Sequence, residues 1–173
     1  MKIKRLVLIM MLSALGSIGF AQSKAPTFER YAAKVETIKN VKVDLKSHKN
    51  ANMFRTNLRN AAKEGVNFAG HYILTTWGCG TNCSQSAVID ARSGRVFFPE
   101  ILEEIGIGYC ELPDEFEPLV SRADSRLLVL SGFKGGDLNK KSAPCGIYYL
   151  EWTGTDFKQL NDYALKVHRF EED

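Results

Sequence analysis

The side chains best suited to chemistry lie between positions 68 and 99, where one histidine shares a stretch with serines and an aspartate. His71 is the strongest candidate for a general base, and Asp90 and Ser84 are the carboxylate and the hydroxyl that would complete a hydrolytic set. Nothing in their spacing forces the three residues together, and a histidine hydrogen-bonded inside a sheet is the competing interpretation. We therefore predict no catalytic residue, with a small hydrolase centred on His71 as the alternative.

The cysteines are the second group of reactive side chains, and their number is even. They are Cys79, Cys83, Cys110 and Cys145. Two disulfides are expected if the chain is exported, and three connectivities are possible. We favour a 79–83 disulfide across a strand turn and a 110–145 disulfide as the long-range bridge. By the loop-entropy relation, the long-range disulfide stabilises the fold by up to ~4 kcal/mol and the short one by ~2 kcal/mol. Zinc is the competing interpretation, but the single close pair has C-x3-C spacing, and we predict no metal site.

The first residues have the pattern of a secretory signal peptide. Positive charges at Lys2, Lys4 and Arg5 precede an apolar run, and small residues around position 21 suit a signal peptidase. We predict a signal peptide at 1–21 and a single disulfide-stapled domain at 22–173, located in the periplasm or secreted. No later segment is long and apolar enough to span a bilayer, so we expect no membrane span after cleavage.

The charge is polarised along the chain rather than excessive overall. Residues 22–95 hold 12 Lys and Arg against 5 Asp and Glu, whereas residues 96–173 hold 8 against 15. The chain after the signal is therefore neutral overall, and a nucleic-acid partner is not expected. The acidic run lacks the D-x-[DN]-x-[DN]-G pattern of a calcium loop, and no glycine-rich loop ends in Lys-Ser/Thr, so we predict no cofactor.

Periodicity predicts the elements that must position these residues. Apolar spacing indicates helices over 28–39 and about 50–64, with a short strand at 41–45 between them. Period-two stretches predict strands near 71–77, 84–90, 95–98, 119–121, 126–131, 146–152 and 157–160, with a weak edge strand over 163–170. We predict an α+β fold in which two N-terminal helices pack on a mostly antiparallel sheet of six to eight strands, as a single domain.

The second helix carries a row of cations. Arg55, Arg59 and Lys63 are spaced four apart and share a face that differs from the apolar one. A solvated helix face is the simpler interpretation, and a docking surface for an acidic partner is the alternative that we carry forward as the binding site.

The string from Phe68 to Pro99 also resembles a motif of small exported bacterial proteins without an assigned activity. In that group an F-A-G-H-Y strand runs into W-G-C-G-x-x-C, followed by a strand and a glycine turn, as in FAGHYILTTWGCGTNCSQSAVIDARSGRVFFP here. The resemblance covers about the central fifth of the chain and implies one exported domain with a cysteine-pinned turn.

The sequence thus favours an exported envelope protein that binds a protein or envelope partner and catalyses nothing. The motivation is the lack of a convergent catalytic set, together with opposed charge patches on a stapled scaffold. Inhibitor or immunity-type proteins share this general build, by analogy of architecture only. A hydrolase centred on His71 stays the alternative.

Overall fold

The computed structural model describes residues 25–81, 83–106, 110, 117–135 and 145–164. The predicted signal peptide at 1–21 and the predicted edge strand from residue 165 onward lie outside the described residues. The longest helix described has ten residues, and no described helix is long and apolar enough to cross a membrane.

Within the described ranges, seven strands form two antiparallel sheets. The first sheet has the order β1-β2-β3, from Tyr72–Gly80, Cys83–Asp90 and Val96–Phe97. The second has the order β4-β5-β6-β7, from Leu119–Ser121, Leu127–Gly132, Gly146–Trp152 and Phe157–Ala164. Each strand follows its neighbour along the chain, as in hairpin-connected sheets.

Alternation along β1 divides its side chains between two cores. Tyr72 and Leu74 point into the core between the two sheets, which contains Trp152 and Phe68. Ile73 and Trp77 point to the other face, toward the helix. Both faces of β1 therefore pack against hydrophobic side chains, because side chains alternate across a pleated strand.

One α-helix, α1, is described, and it covers the outer face of the first sheet. It runs from Arg55 to Glu64 and ends at Gly65, which takes a positive φ of 94°. Leu58, Ala61 and Ala62 are its buried residues. Gly65 ends the helix where the sequence predicted, since glycine adopts this backbone conformation without a Cβ clash.

Other elements differ from the sequence expectation. The predicted helix over 28–39 is only a 3-10 helix at Phe28–Tyr31, and the predicted strand at 41–45 has no strand pairing. The predicted second helix begins at Arg55 rather than near residue 50, and Met53, which lies within the predicted range, precedes the helix and is 74% exposed. The strands divide between two sheets instead of one, so the predicted two helices on a single sheet are not confirmed.

Candidate functional site

His71 ends a tight turn that the F-A-G-H-Y sequence builds. Phe68 and Tyr72 pair with each other through two backbone hydrogen bonds of 3.0 and 2.9 Å, which leaves Ala69, Gly70 and His71 as the loop. Ala69 and Gly70 have φ of 45° and 87°. The left-handed region favours glycine and is costly for alanine, so the turn is a strained one held by its surroundings.

Three separate chain segments meet at this turn. The amide of Gly70 donates to the Ala123 carbonyl at 2.7 Å, and its own carbonyl accepts from the Glu36 amide at 2.8 Å. The amide of Ala69 donates to the Ser125 carbonyl at 3.2 Å. The turn therefore joins the N-terminal segment to the loop before β5 and fixes the position of His71.

A cleft of about 720 Å³ opens beside His71, between the ends of the two sheets. Its wall contains charged side chains from four segments together with aromatic rings: Lys34, Glu36, His71, Tyr72, Arg92, Arg126, Glu151 and Trp152. A volume of this size falls within the range of small-molecule sites.

Two ion pairs span the cleft wall, and sequence reasoning did not find either of them. Arg92 binds Glu36 through two nitrogens, and Arg126 lies 3.1 Å from the carboxylate of Glu151. The bidentate pair lowers the pKa of the Glu36 carboxyl, because the guanidinium hydrogen bond and charge favour the ionised form. Partners 56 residues apart leave no local signal in a sequence.

His71 and Asp90 lie near each other, but the aspartate serves the neighbouring turn. The Nε2 atom of His71 is 3.9 Å from Oδ1 of Asp90, too long for a hydrogen bond. That carboxylate accepts hydrogen bonds from the Arg92 amide at 2.9 Å and from the Ser93 hydroxyl at 2.6 Å. Asp90 therefore stabilises the turn between β2 and β3, as aspartate commonly does.

The electrostatic environment favours the neutral form of His71. Partial burial lowers its pKa below 6.5, and the positive charge of Arg92 acts in the same direction. The carboxylates of Asp90 and Glu36 oppose this shift without reversing it. At neutral pH the ring is therefore uncharged and able to accept a proton.

Ser84, the proposed hydroxyl partner, is at the opposite end of the hairpin. It pairs with Gly78, whereas Asp90 pairs with Tyr72. Six strand positions separate Ser84 from Asp90, which corresponds to about 20 Å. The fold therefore brings together two members of the predicted hydrolytic set and separates the third. No described hydroxyl forms a hydrogen bond with His71.

The helix cations of the predicted binding site share one exposed face. Arg55, Arg59 and Lys63 are all exposed on α1, on a face that differs from the buried one formed by Leu58, Ala61 and Ala62. Arg55 donates to the Asn52 carbonyl at 3.3 Å, and Lys63 donates to the Asn60 side chain at 3.4 Å. None of the three forms an ion pair with a described carboxylate. We call these three residues the basic face.

The cysteines are paired as 79–83 and 110–145, the connectivity favoured from the sequence. The first disulfide closes the turn between β1 and β2, with Cα atoms 5.2 Å apart. The second attaches Cys110 to the start of β6, with Cα atoms 5.7 Å apart. With all four cysteines paired, none is free to act as a nucleophile or a zinc ligand.

In the described ranges, no group of three or more histidine, cysteine, aspartate or glutamate side chains is arranged to hold a metal ion. Much of the acidic stretch between residues 107 and 116 falls outside those ranges. Among the described residues, the candidate functional groups are therefore His71 beside the cleft and the basic face of α1.

The comparisons with known proteins do not extend these observations. No protein-family model, no curated protein and no solved structure matches the chain.

Proposed function

We propose that the protein is an exported, non-catalytic binding module that holds an acidic protein partner on the basic face of α1. Two disulfides fit an oxidising compartment, in agreement with the export signal predicted at 1–21. The resemblance of residues 68–99 to small exported bacterial proteins supports the same location and contributes no substrate. A periplasmic or secreted inhibitor or immunity-type role is the form of binding that we propose.

The observation that carries this proposal is the uncompensated charge around α1. Residues 39–66 contain seven Lys and Arg, all exposed, against two carboxylates, Asp44 and Glu64. Elsewhere Arg92, Arg122 and Arg126 each form an ion pair with a carboxylate that is distant in sequence. Arg30 and Arg95 form no ion pair with a described carboxylate, but they are single cations and not part of a row. The arginines of the basic face have no such partner among the described carboxylates.

The arrangement of the basic face is unfavourable for an isolated helix. Arg55 and Arg59, and then Arg59 and Lys63, are like charges four residues apart, and each such pair costs about 0.2–0.5 kcal/mol. A partner that supplies carboxylates would convert this repulsion into attraction. The same charges would increase the association rate at low ionic strength, which is how electrostatic complementarity usually contributes to binding.

Lys39 extends this surface beyond the helix. The segment 35–41 lies against the end of α1, where Lys39 and Lys63 line a depression of about 600 Å³ together with Glu36 and Glu64. An acidic protein loop on the basic face could therefore also contact Lys39 across this depression of mixed charge. Opposite charge across an interface provides orientation and specificity as well as attraction.

The test is capture of a partner from envelope extract by the mature protein and by two charge variants. One variant reverses the basic face, Arg55→Glu with Arg59→Glu. The matched control, Arg30→Glu with Lys158→Glu, changes the net charge equally at exposed positions away from α1. The identified partner is then produced separately and its affinity measured at several salt concentrations.

We expect the basic-face variant to lose about 30–700-fold in affinity, since two attractions of about 0.5–1 kcal/mol each become repulsions of similar size. The control variant should bind as the wild type does, and the wild-type affinity should fall with salt. Equal binding by all three proteins would remove the proposal. Equal loss in both variants would also remove it, because the effect would then follow from net charge alone.

The second candidate is an envelope hydrolase centred on His71, and one observation favours it. His71 borders the cleft in a neutral form, so it could activate a water molecule, with Asp90 nearby and without Ser84. Hydrolysis of ester, amide or glycoside test substrates that disappears in His71→Gln but not in Ser84→Ala would support this candidate. Undiminished hydrolysis in His71→Gln would reject it.

A further inference from the structure

The strand β1 lies at the edge of its sheet, although its sequence reads as that of a central strand. It pairs with β2 on one side only. On the other side the side chain of Asn67 takes the place of a neighbouring strand: its amide donates to the Leu74 carbonyl at 2.9 Å and accepts from the Leu74 amide at 2.7 Å. This contact stops at Leu74, and no strand in the described part of the chain pairs with the edge beyond it.

The direction of the remaining backbone groups follows from the hydrogen-bonding pattern. The backbone groups of Leu74 point away from β2, because they bind Asn67. Backbone groups of a strand alternate in direction, so those of Thr76 and Gly78 point to the same open side. Both residues are exposed, and no described residue hydrogen-bonds to their backbone on that side.

A groove of about 300 Å³ runs along this open edge, between β1 and α1. Asn57, Asn60, Ala61 and Glu64 form the helix wall, and Leu74, Thr75 and Thr76 form the strand wall. The two asparagine amides have the same donors and acceptors as a peptide group. Glu64 forms no ion pair with a described residue, which leaves a negative charge at the Leu74 end of the groove.

The edge also lacks the protection that natural edge strands commonly carry. Edge strands are usually protected by lysine, proline or inward-pointing charges. From Thr75 to Gly80 the strand has none of these, and its bulge appears only after Gly78. From Thr75 to Gly78 the open edge measures about 10 Å, which corresponds to a ligand of about four extended residues.

We propose that the open edge of β1 binds an extended segment of a partner polypeptide, which adds as a strand in the groove beside α1. Its main chain pairs with Thr76 and Gly78, and a lysine or arginine of the segment pairs with Glu64. Addition of a strand to a sheet edge is an established mode of peptide recognition, in which backbone hydrogen bonds give affinity and side-chain sites give specificity. The proposal does not depend on the basic face, whose side chains lie on a different side of α1.

The probes are acetylated and amidated heptapeptides of alternating threonine and valine. One series carries a single lysine, and the matched series carries glutamate at the same place. Binding to the oxidised mature protein is followed by fluorescence polarisation and by amide hydrogen exchange at Thr76 and Gly78. We expect both amides to exchange rapidly in the free protein and to become protected by the lysine peptide. That peptide should bind about two- to fivefold more tightly than the glutamate peptide.

Two substitutions at Gly78 separate the backbone contact from the side chain. Gly78→Pro removes the outward amide without removing a hydrogen bond to β2, and proline is tolerated at such edge positions. Gly78→Ala keeps the amide, and its Cβ would meet only the Cys83 carbonyl oxygen at 4.0 Å. Peptide affinity should fall about tenfold in Gly78→Pro and remain near wild type in Gly78→Ala.

The variant Glu64→Lys tests the charge at the exposed helix end without altering the strand. It should reverse the preference, so that the glutamate peptide binds better than the lysine peptide. The proposal is overturned if neither series binds by about 1 mM, if Gly78→Pro binds as well as Gly78→Ala, or if Glu64→Lys leaves the preference unchanged. Slow exchange of the Thr76 and Gly78 amides in the free protein would also overturn the proposal, because the edge would then already be occupied. A concentration-dependent dimer that Gly78→Pro abolishes would overturn it too, because the occupant would then be a second copy of the chain.

Discussion

Replacing Gly70 by alanine tests whether the turn before His71 joins the two halves of the fold. Gly70 is buried, has φ of 87°, and exchanges backbone hydrogen bonds with Ala123 and Glu36. A Cβ added there would lie 2.6 Å from the carbonyl oxygen of Lys34, closer than real contacts allow. The N-terminal segment would have to move away, which would break the hydrogen bond with Glu36 and distort the bond with Ala123.

The expected loss of stability is the sum of two effects. Positive φ at a non-glycine residue costs about 1–3 kcal/mol. Two backbone hydrogen bonds add about 1 kcal/mol each when lost. Gly70→Ala should therefore lower the free energy of unfolding by about 3–5 kcal/mol, a large share of the total for an ordinary domain.

Gly65 provides the matched control, because it also has a positive φ, of 94°, but no atom lies within 4 Å of the position of an added Cβ. Gly65→Ala should lose only the backbone-strain component of about 1–3 kcal/mol. Urea unfolding of the oxidised proteins, followed by tryptophan fluorescence, compares the two at a shared m-value. Equal losses in Gly70→Ala and Gly65→Ala would refute the role of the turn as a junction.

The other predictions concern the disulfides and the histidine. Replacing Cys110 and Cys145 by alanine should lower the free energy of unfolding by about 4 kcal/mol. Replacing Cys79 and Cys83 should lower it by only about 2 kcal/mol, because the shorter loop loses less entropy on closure. Urea unfolding that gives the reverse order would contradict this reasoning. The lowered pKa of His71 means that the unfolded chain binds the proton more readily, so stability falls as pH falls below 6.5 through the folded pKa. Unfolding free energies measured between pH 8 and pH 5 should show a smaller fall in His71→Gln than in the wild type, and an equal fall would count against the assignment.

The strands of the fold could be predicted from the sequence, but their division into sheets could not. Alternation located β2 within one residue and the start of β1 within one residue, although β1 extends three residues beyond its predicted end, because a pleated strand imposes a period of two on its side chains. The same pattern does not record which hairpins share a sheet. It also failed to show that β1 lies at an edge, since covered faces produce the same composition in edge and central strands.

The predicted N-terminal helix failed for a different reason. Residues 28–39 have apolar side chains at helical spacing, yet the amides of Ala33 and Glu36 bind the carbonyls of Asp124 and Gly70. These long-range hydrogen bonds replace the i to i−4 bonds that would have continued the helix. Tertiary contacts of this kind override local preference and leave no trace in the local sequence.

Part of the candidate site could have been better predicted from the hairpin register. Once the turn lies between Cys79 and Cys83, antiparallel pairing places Ser84 opposite Gly78 and Asp90 opposite Tyr72. His71 and Ser84 are then necessarily far apart. The ion pair between Arg92 and Glu36, in contrast, joins segments whose proximity only the complete fold determines.

Binding of an acidic partner at the basic face of α1 can be detected by photo-crosslinking in intact cells. A photoreactive residue at exposed Thr56, beside the basic face, is compared with one at exposed Lys158 on β7. We predict one crosslinked acidic protein from position 56, lost when Arg55 and Arg59 are changed to glutamate, and none from position 158. No crosslink from position 56, or the same product from both positions, would contradict the account.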